Sequence, residues 1–193
     1  MPRLSEEDKE ARRRRVLDGA RRCFARHGYE GATVVRLEEE IGLSRGAIFN
    51  WFPSKEDLFI ALAARDNERL LHLFAEEGLE AILDALLKDD PDWLAVYLEF
   101  GRRLRTDAEL RERWQAISPE GARERTLAWI SDGQARGVLR ADVEPEVIGR
   151  FVGVIVDGVA VQRAFGFDPP EQALLVRLLD DAIAARPGAQ PSD

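Results

Sequence analysis

Cysteine is almost missing from this chain. The single residue, Cys23, excludes an intrachain disulfide. It sits in an apolar-periodic stretch, where a free thiol packs as a small hydrophobe, and its isolation suits a reducing, cytoplasmic setting. Histidine is nearly as scarce, with only His27 and His72. No metal-ligand spacing, Ser/His/Asp grouping or glycine-rich phosphate loop stands out, so no catalytic residue, no required cofactor and no enzyme is expected. Glu38, Glu39 and Glu40 are consecutive acids that point in different directions on a helix, which is no paired-carboxylate site. Long hydrophobic runs are missing too. The longest, Phe151 to Val161, is interrupted by Gly153, Asp157 and Gly158, so no membrane span is expected. The polar start MPRLSEEDKEARRRR predicts no signal peptide. Strand-like alternation is rare, and turn residues recur at helix-length spacing, which points to an all-α fold.

The net charge of -8 argues against nucleic acid as a partner, because phosphate binding favours a basic surface. Its distribution reverses that argument. Residues 1–55 carry 12 Lys and Arg against 9 Asp and Glu, and the rest of the chain carries 16 against 27. A basic head on an acidic body suits a protein that docks on DNA by one end.

Helix signals run along the whole chain. A first helix is predicted from about Ser5 to His27, with Val16, Ala20, Cys23 and Phe24 as its apolar stripe and Gly28 as its stop. Thr33 caps a short second helix ending near Ile41, and Gly42 stops it. Ser44 caps a third helix from Arg45 to about Phe52, and Pro53 breaks it. Ser54 and Asp57 form an approximate capping box for a fourth helix that continues to Leu73 or Glu76. Further helices are expected at Leu79 to Lys88, Pro91 to Arg105, Asp107 to Ile117 and Glu120 to Arg136. Val138 to Val143 reads as a loop. The last two helices run from Pro145 to Phe165 and from Pro169 to Ala185, before a Pro/Gly-rich tail from Arg186 that reads as frayed.

The function-bearing stretch is TVVRLEEEIGLSRGAIFNWF, residues 33 to 52. Two helices joined only by Gly42 and Leu43 cross steeply, which is the helix-turn-helix arrangement. In it the second helix enters the major groove of DNA and its N-terminal residues meet base edges. Val34, Leu37, Ile41, Ile48 and Phe52 face inward, leaving Arg45, Gly46, Ala47, Asn50 and Trp51 outward beside Ser44. Arg45 suits guanine or phosphate and Asn50 suits adenine or phosphate. Gly46 and Ala47 keep the helix slim. Trp51 either meets DNA or wedges against the fourth helix. Thr33 and Lys55 stand at helix starts, where phosphates bind, and Arg36 adds a basic side chain on the outer face of the second helix.

GARRCFARHGYEGATVVRLEEEIGLSRGAIFNWFPSKEDLFIALA, residues 19 to 63, resembles the DNA-binding domain of the TetR family, with Phe24, Gly28, Thr33, Gly42, Gly46, Phe52 and Lys55 at the family's spacing. The resemblance implies a TetR-like fold: an N-terminal three-helix helix-turn-helix domain at 1–53, extending to about residue 70 with the connecting helix, and a C-terminal helical ligand-binding and dimerisation domain at 54–193. It implies a homodimer on a palindromic, double-stranded DNA operator, tuned by a small-molecule effector. RRCFA, HGYEGATV, RLEEE, SRGAIF and LRTD at Leu104 to Asp107 resemble the actinobacterial aconitase repressors of that family, which implies control of an aconitase gene and citrate with magnesium as effector.

In the C-terminal part, Trp93, Tyr97, Phe100 and Trp129 either line an effector pocket or form ordinary helical core. Arg103, with Arg102 and Arg105, either answers an anionic ligand or belongs to a solvated face. Asp180, of the Asp180–Asp181 pair, is a candidate carboxylate for a divalent ion. The apolar helix from Val147 to Phe165 and its partner Gln172 to Ile183 suit a four-helix dimer interface, or the core of a monomer. The rival to a DNA-binding repressor is a helical adaptor or protein-interaction module without DNA binding.

Overall fold

Gly28, Gly42 and Gly78 each turn the backbone to positive φ, and each falls where one helical segment gives way to the next. The computed structural model describes residues 5–116, 122–168 and 170–185. Among them, ten α-helices follow one another: α1 (Glu6–Gly31), α2 (Val34–Ile41), α3 (Arg45–Phe49), α4 (Lys55–Glu77), α5 (Leu79–Lys88), α6 (Pro91–Thr106), α7 (Ala108–Gln115), α8 (Ala122–Ala135), α9 (Pro145–Ala164) and α10 (Gln172–Ile183). The expected helix end at Ile117, the break at Pro119, the starts at Glu120 and Pro169, and the tail from Arg186 lie outside the described residues.

Most expected helices appear within a residue or two. Two differences are informative. The helical stretch of α1 continues to Gly31 across a kink at Gly28, whose φ of 68° and ψ of 172° are not helical. The kink holds because the Tyr29 N–H donates to Glu99 Oε2 of α6 at 2.7 Å, and a Cβ at position 28 would lie 2.8 Å from that carboxylate. The third helix is shorter than expected, ending at Phe49, and turns carry the chain through Phe52 to Pro53.

The chain divides into two compact units. One comprises the chain up to Asp66 together with the stretch from Asp90 that forms α6 and α7. The other comprises Asn67–Asp89 with α8, α9 and α10. α6 and α7 belong to the stretch expected as the C-terminal domain, and they pack on the N-terminal helices. The cause is aromatic. Phe59 is fully buried and lies 4.3–6.2 Å, centroid to centroid, from Phe24, Tyr29, Trp93, Tyr97, Phe100 and Trp114. Four of those rings come from α6 and α7, so these helices complete the core begun by α1 and α4. Cys23 lies in the same core, and burial with Glu40 nearby raises its thiol pKa to about 11. Native protein is therefore expected to resist alkylation by a maleimide at pH 8, whereas unfolded protein reacts at once, as a mass-shift assay would show. Fast labelling of the folded chain would contradict the placement of Cys23.

In the second unit α5 packs on α9 and α10, and α8 packs on α9. Ile130, Leu139, Ile148 and Ile183 form a small core, with Trp129 and Val143 against it. The expected loop after α8 is fastened at both ends. Gln134 Nε2 donates to the carbonyls of Arg140 (2.9 Å) and Val143 (2.7 Å), and the Arg140 N–H donates to Ile183 O at 2.8 Å. This unit has exposed apolar residues on two helices: Val147, Phe151 and Val154 on α9, and Leu174 and Leu178 on α10. Their spacing of three or four residues puts each set on one stripe. No described helix is long and apolar enough to cross a membrane.

Candidate nucleic-acid interface

The helix-turn-helix is set by capping at each of its junctions. Thr33 accepts the Arg36 N–H, fixing the start of α2, and Gly42 in the left-handed region (φ 70°) ends it, its N–H donating to Glu38 O at 2.8 Å. The carbonyls left over at that end, Ile41 O and Gly42 O, accept from the Arg15 guanidinium at 3.3 and 3.4 Å. α1 crosses α2 closely at Gly19, where a Cβ would sit 2.7 Å from Ile41 Cγ1 and 2.9 Å from Ile41 Cα. Glu40 then locks the crossing by accepting from Arg22 Nε at 3.0 Å and Arg26 Nη1 at 2.7 Å.

Ser44 does not cap α3 with its side chain as expected. Glu38 Oε1 takes that role, accepting the Arg45 N–H at 2.6 Å. A charged acceptor makes a stronger bond to a backbone N–H than a neutral hydroxyl does, and it also suits the helix dipole. Ser44 is left exposed beside the helix start. No local signal marks this bond, because Glu38 is seven residues away and belongs to the preceding helix.

The nine residues expected at DNA separate into three groups. Thr33, Ser44, Arg45, Gly46 and Asn50 are exposed, and Ala47 is half-buried beside them. Arg45 lays its guanidinium 5.9 Å from the Phe49 ring centroid. A Cβ at Gly46 would meet nothing within 4 Å, so the fold itself does not require glycine there. Arg36 is exposed, but its Nη1 donates to Gly31 O at 2.8 Å. Lys55 and Trp51 turn inward. Lys55 Nζ donates to Tyr29 O at 3.0 Å and sits 4.4 Å from the Tyr29 ring centroid. Trp51 is half-buried against the core.

The first turn of α4 is held by a second polar cluster. Ser54 and Asp57 make the expected hydroxyl–carboxylate contact (2.6 Å), and the Asp57 N–H donates back to Ser54 Oγ at 3.0 Å. Arg103 Nη1 of α6 donates to Glu56 Oε1 at 2.8 Å and to Tyr29 Oη at 3.0 Å, and Arg113 of α7 pairs with Asp57. Burial would raise the Glu56 pKa, but the bond and charge from Arg103 win and hold the carboxyl below its ordinary value. Burial together with Glu56 pushes the Tyr29 hydroxyl well up.

The five residues expected to line an effector pocket are not brought together. Trp93 and Phe100 are fully buried core of the first unit, and the Trp93 indole N–H donates to Asp66 Oδ2 at 2.7 Å. Tyr97 packs at the edge of that cluster. Arg103 is committed to Glu56 and Tyr29. Trp129 alone lies in the second unit, 4.7 Å from the Phe74 ring. Asp180 is exposed, and no group of three His, Cys, Asp or Glu residues placed to hold a metal occurs among the described residues.

Residues 16–62 match the family described as bacterial regulatory proteins, tetR family, and residues 75–187 match the C-terminal domain described as BetI-type transcriptional repressor. The chain is 42% identical over 185 residues to the HTH-type transcriptional repressor Rv1474c of Mycobacterium tuberculosis, covering 95% of this chain and 98% of that one. It is 45% identical over 176 residues to the HTH-type transcriptional repressor AcnR of Corynebacterium efficiens, covering 89% and 92%. Among solved structures, Salmonella enterica GusR superposes with a TM-score of 0.72 at 25% identity, covering 94% of this chain and 98% of GusR. Helix order, the capped helix-turn-helix and these matches agree: the chain belongs to the TetR family of bacterial regulatory proteins.

Proposed function

We propose that this chain is a cytoplasmic transcriptional repressor that binds a palindromic DNA operator as a homodimer, with its affinity set by a small-molecule effector. The observation that carries the DNA-binding reading is the face of α3. Arg45 and Gly46 are exposed on α3 and Asn50 at its C-terminal cap; Glu38 fixes the start of α3, while Arg15 and Gly19 fix the end of α2 against α1. A preorganised helix with a slim, polar face fits the major groove. The exposed apolar stripes of α9 and α10 supply what a second copy would cover.

Control of an aconitase gene and response to citrate with magnesium rest on the likeness to AcnR and on the sequence motifs. Trp93, Tyr97, Phe100 and Arg103 join α6 to α1 and to α4, the helices that flank the helix-turn-helix, so a movement of α6 would reach it through them. A gel shift on DNA upstream of the chain's own gene and of an aconitase gene, with and without citrate and magnesium, tests the reading. A shift relieved by citrate with magnesium supports all of it. A shift indifferent to them removes that effector and keeps the repressor. Failure to shift these fragments, or any fragment of sheared genomic DNA, overturns DNA binding.

A further inference from the structure

We propose that Arg12 and Arg14, on the part of α1 that overhangs the core, make a second set of contacts to DNA phosphates beside α3. The inference rests on the DNA-binding reading and extends its footprint to a segment that reading does not use. α1 starts at Glu6, but its first buried residue is Val16. The stretch from Glu6 to Arg15 therefore projects as about 15 Å of helix with no buried side chain. Packing does not explain why it is helical. Its start is held by a capping box between Ser5 and Asp8 and by acids in the first turn.

The four consecutive arginines in the overhang divide into two kinds. Two are used internally. Arg13 lies 5.7 Å from the centroid of the Phe52 ring, just beyond α3, and Arg15 bonds the carbonyls of Ile41 and Gly42, at the turn before α3. These contacts fix the overhang to both sides of the recognition helix. Arg12 and Arg14 are exposed and pair with no acid among the described residues. The contrast with their neighbours is plain: Arg22 and Arg26 share Glu40, and Arg65 pairs with Asp18. Of the acids one helical turn away, Asp8 sits in the cap and Asp18 pairs with Arg65 at 2.6 Å, leaving Glu10 exposed. Two exposed guanidinium groups, on a helical segment that Arg13 and Arg15 anchor beside the proposed DNA-reading helix, are what phosphate oxygens recognise without regard to sequence.

The test uses the full chain and a fluorescent duplex that the wild-type protein has selected from sheared genomic DNA. Affinity is measured across a salt series for wild type, R12A/R14A and R12K/R14K. Each lost phosphate contact lowers the slope of log affinity against log salt by about 0.9, so the alanine pair is expected to lose about 1.8 per bound subunit, with equal weakening on mismatched duplexes. The lysine pair is expected to keep most of the slope, and thermal melts of all three should coincide because both side chains are exposed. An unchanged slope in the alanine pair overturns the inference while leaving the repressor intact. A loss equal in the lysine and alanine pairs also overturns it, by showing a role other than charge. If wild type selects no duplex at all, the DNA-binding reading fails and takes this one with it.

Discussion

Replacing Phe59 with alanine is expected to destabilise the N-terminal unit by about 3–5 kcal/mol, the range for removing a buried phenylalanine ring. The expectation is at the upper end because of where the ring sits. Phe59 is fully buried and touches rings from three directions: Phe24 and Tyr29 of α1, Trp93, Tyr97 and Phe100 of α6, and Trp114 of α7. Six aromatic neighbours are too large and too rigid to collapse into the space left behind, so cavity cost adds to lost transfer energy. Urea titration followed by tryptophan fluorescence reads this directly, since Trp93 and Trp114 border the site. A loss below about 1 kcal/mol would mean that α6 and α7 do not close this core.

Placing glutamates at Val154 and Leu178 together is expected to turn a dimer into a monomer and to weaken operator binding about 10²–10⁴-fold, the gain that two linked sites have over one. Both side chains are well exposed in the single chain, at 62% and 58%, so the subunit itself has no reason to unfold. In the proposed dimer the apolar stripes of α9 and α10 would cover these positions, and a carboxylate there would lose its water without gaining a partner. Sedimentation at micromolar concentration reads the assembly, and circular dichroism confirms that the subunit is folded. A double variant that remains dimeric, or a wild type that sediments as a monomer, would place the interface elsewhere or remove it.

Local signals in the sequence were sufficient for the helix-turn-helix. Thr33, Gly42, Ser54 and Asp57 act at the helix ends where their chemistry predicts. Of the inward set, Leu37, Ile41, Ile48 and Phe52 are buried and Val34 is half-buried. Pro91 and Pro145 open α6 and α9. What local signals do not carry is which distant group answers a charge. Lys55 and Arg36 look like phosphate ligands by position, yet Tyr29 O and Gly31 O hold their nitrogens. Glu40 reads as one of three unremarkable acids, and it is the shared acceptor of Arg22 and Arg26. Ser44 has the composition of a cap, but the stronger acceptor Glu38 arrives from another helix. The same reason separates the aromatic residues. Helical periodicity marks Trp93, Phe100 and Trp129 alike as apolar, but only packing decides that the first two complete the core of one unit while the third belongs to the other.

The central claim, that the exposed face of α3 reads DNA, is tested most directly by R45A. Arg45 is exposed and makes no ion pair among the described residues, so its loss leaves the fold alone. Fluorescence anisotropy on the selected duplex and on single-base variants of it should show affinity weakened by about 1–3 kcal/mol, with discrimination relaxed at one base pair of each half-site. Unchanged affinity and unchanged base preference would contradict the assignment of α3 to the groove.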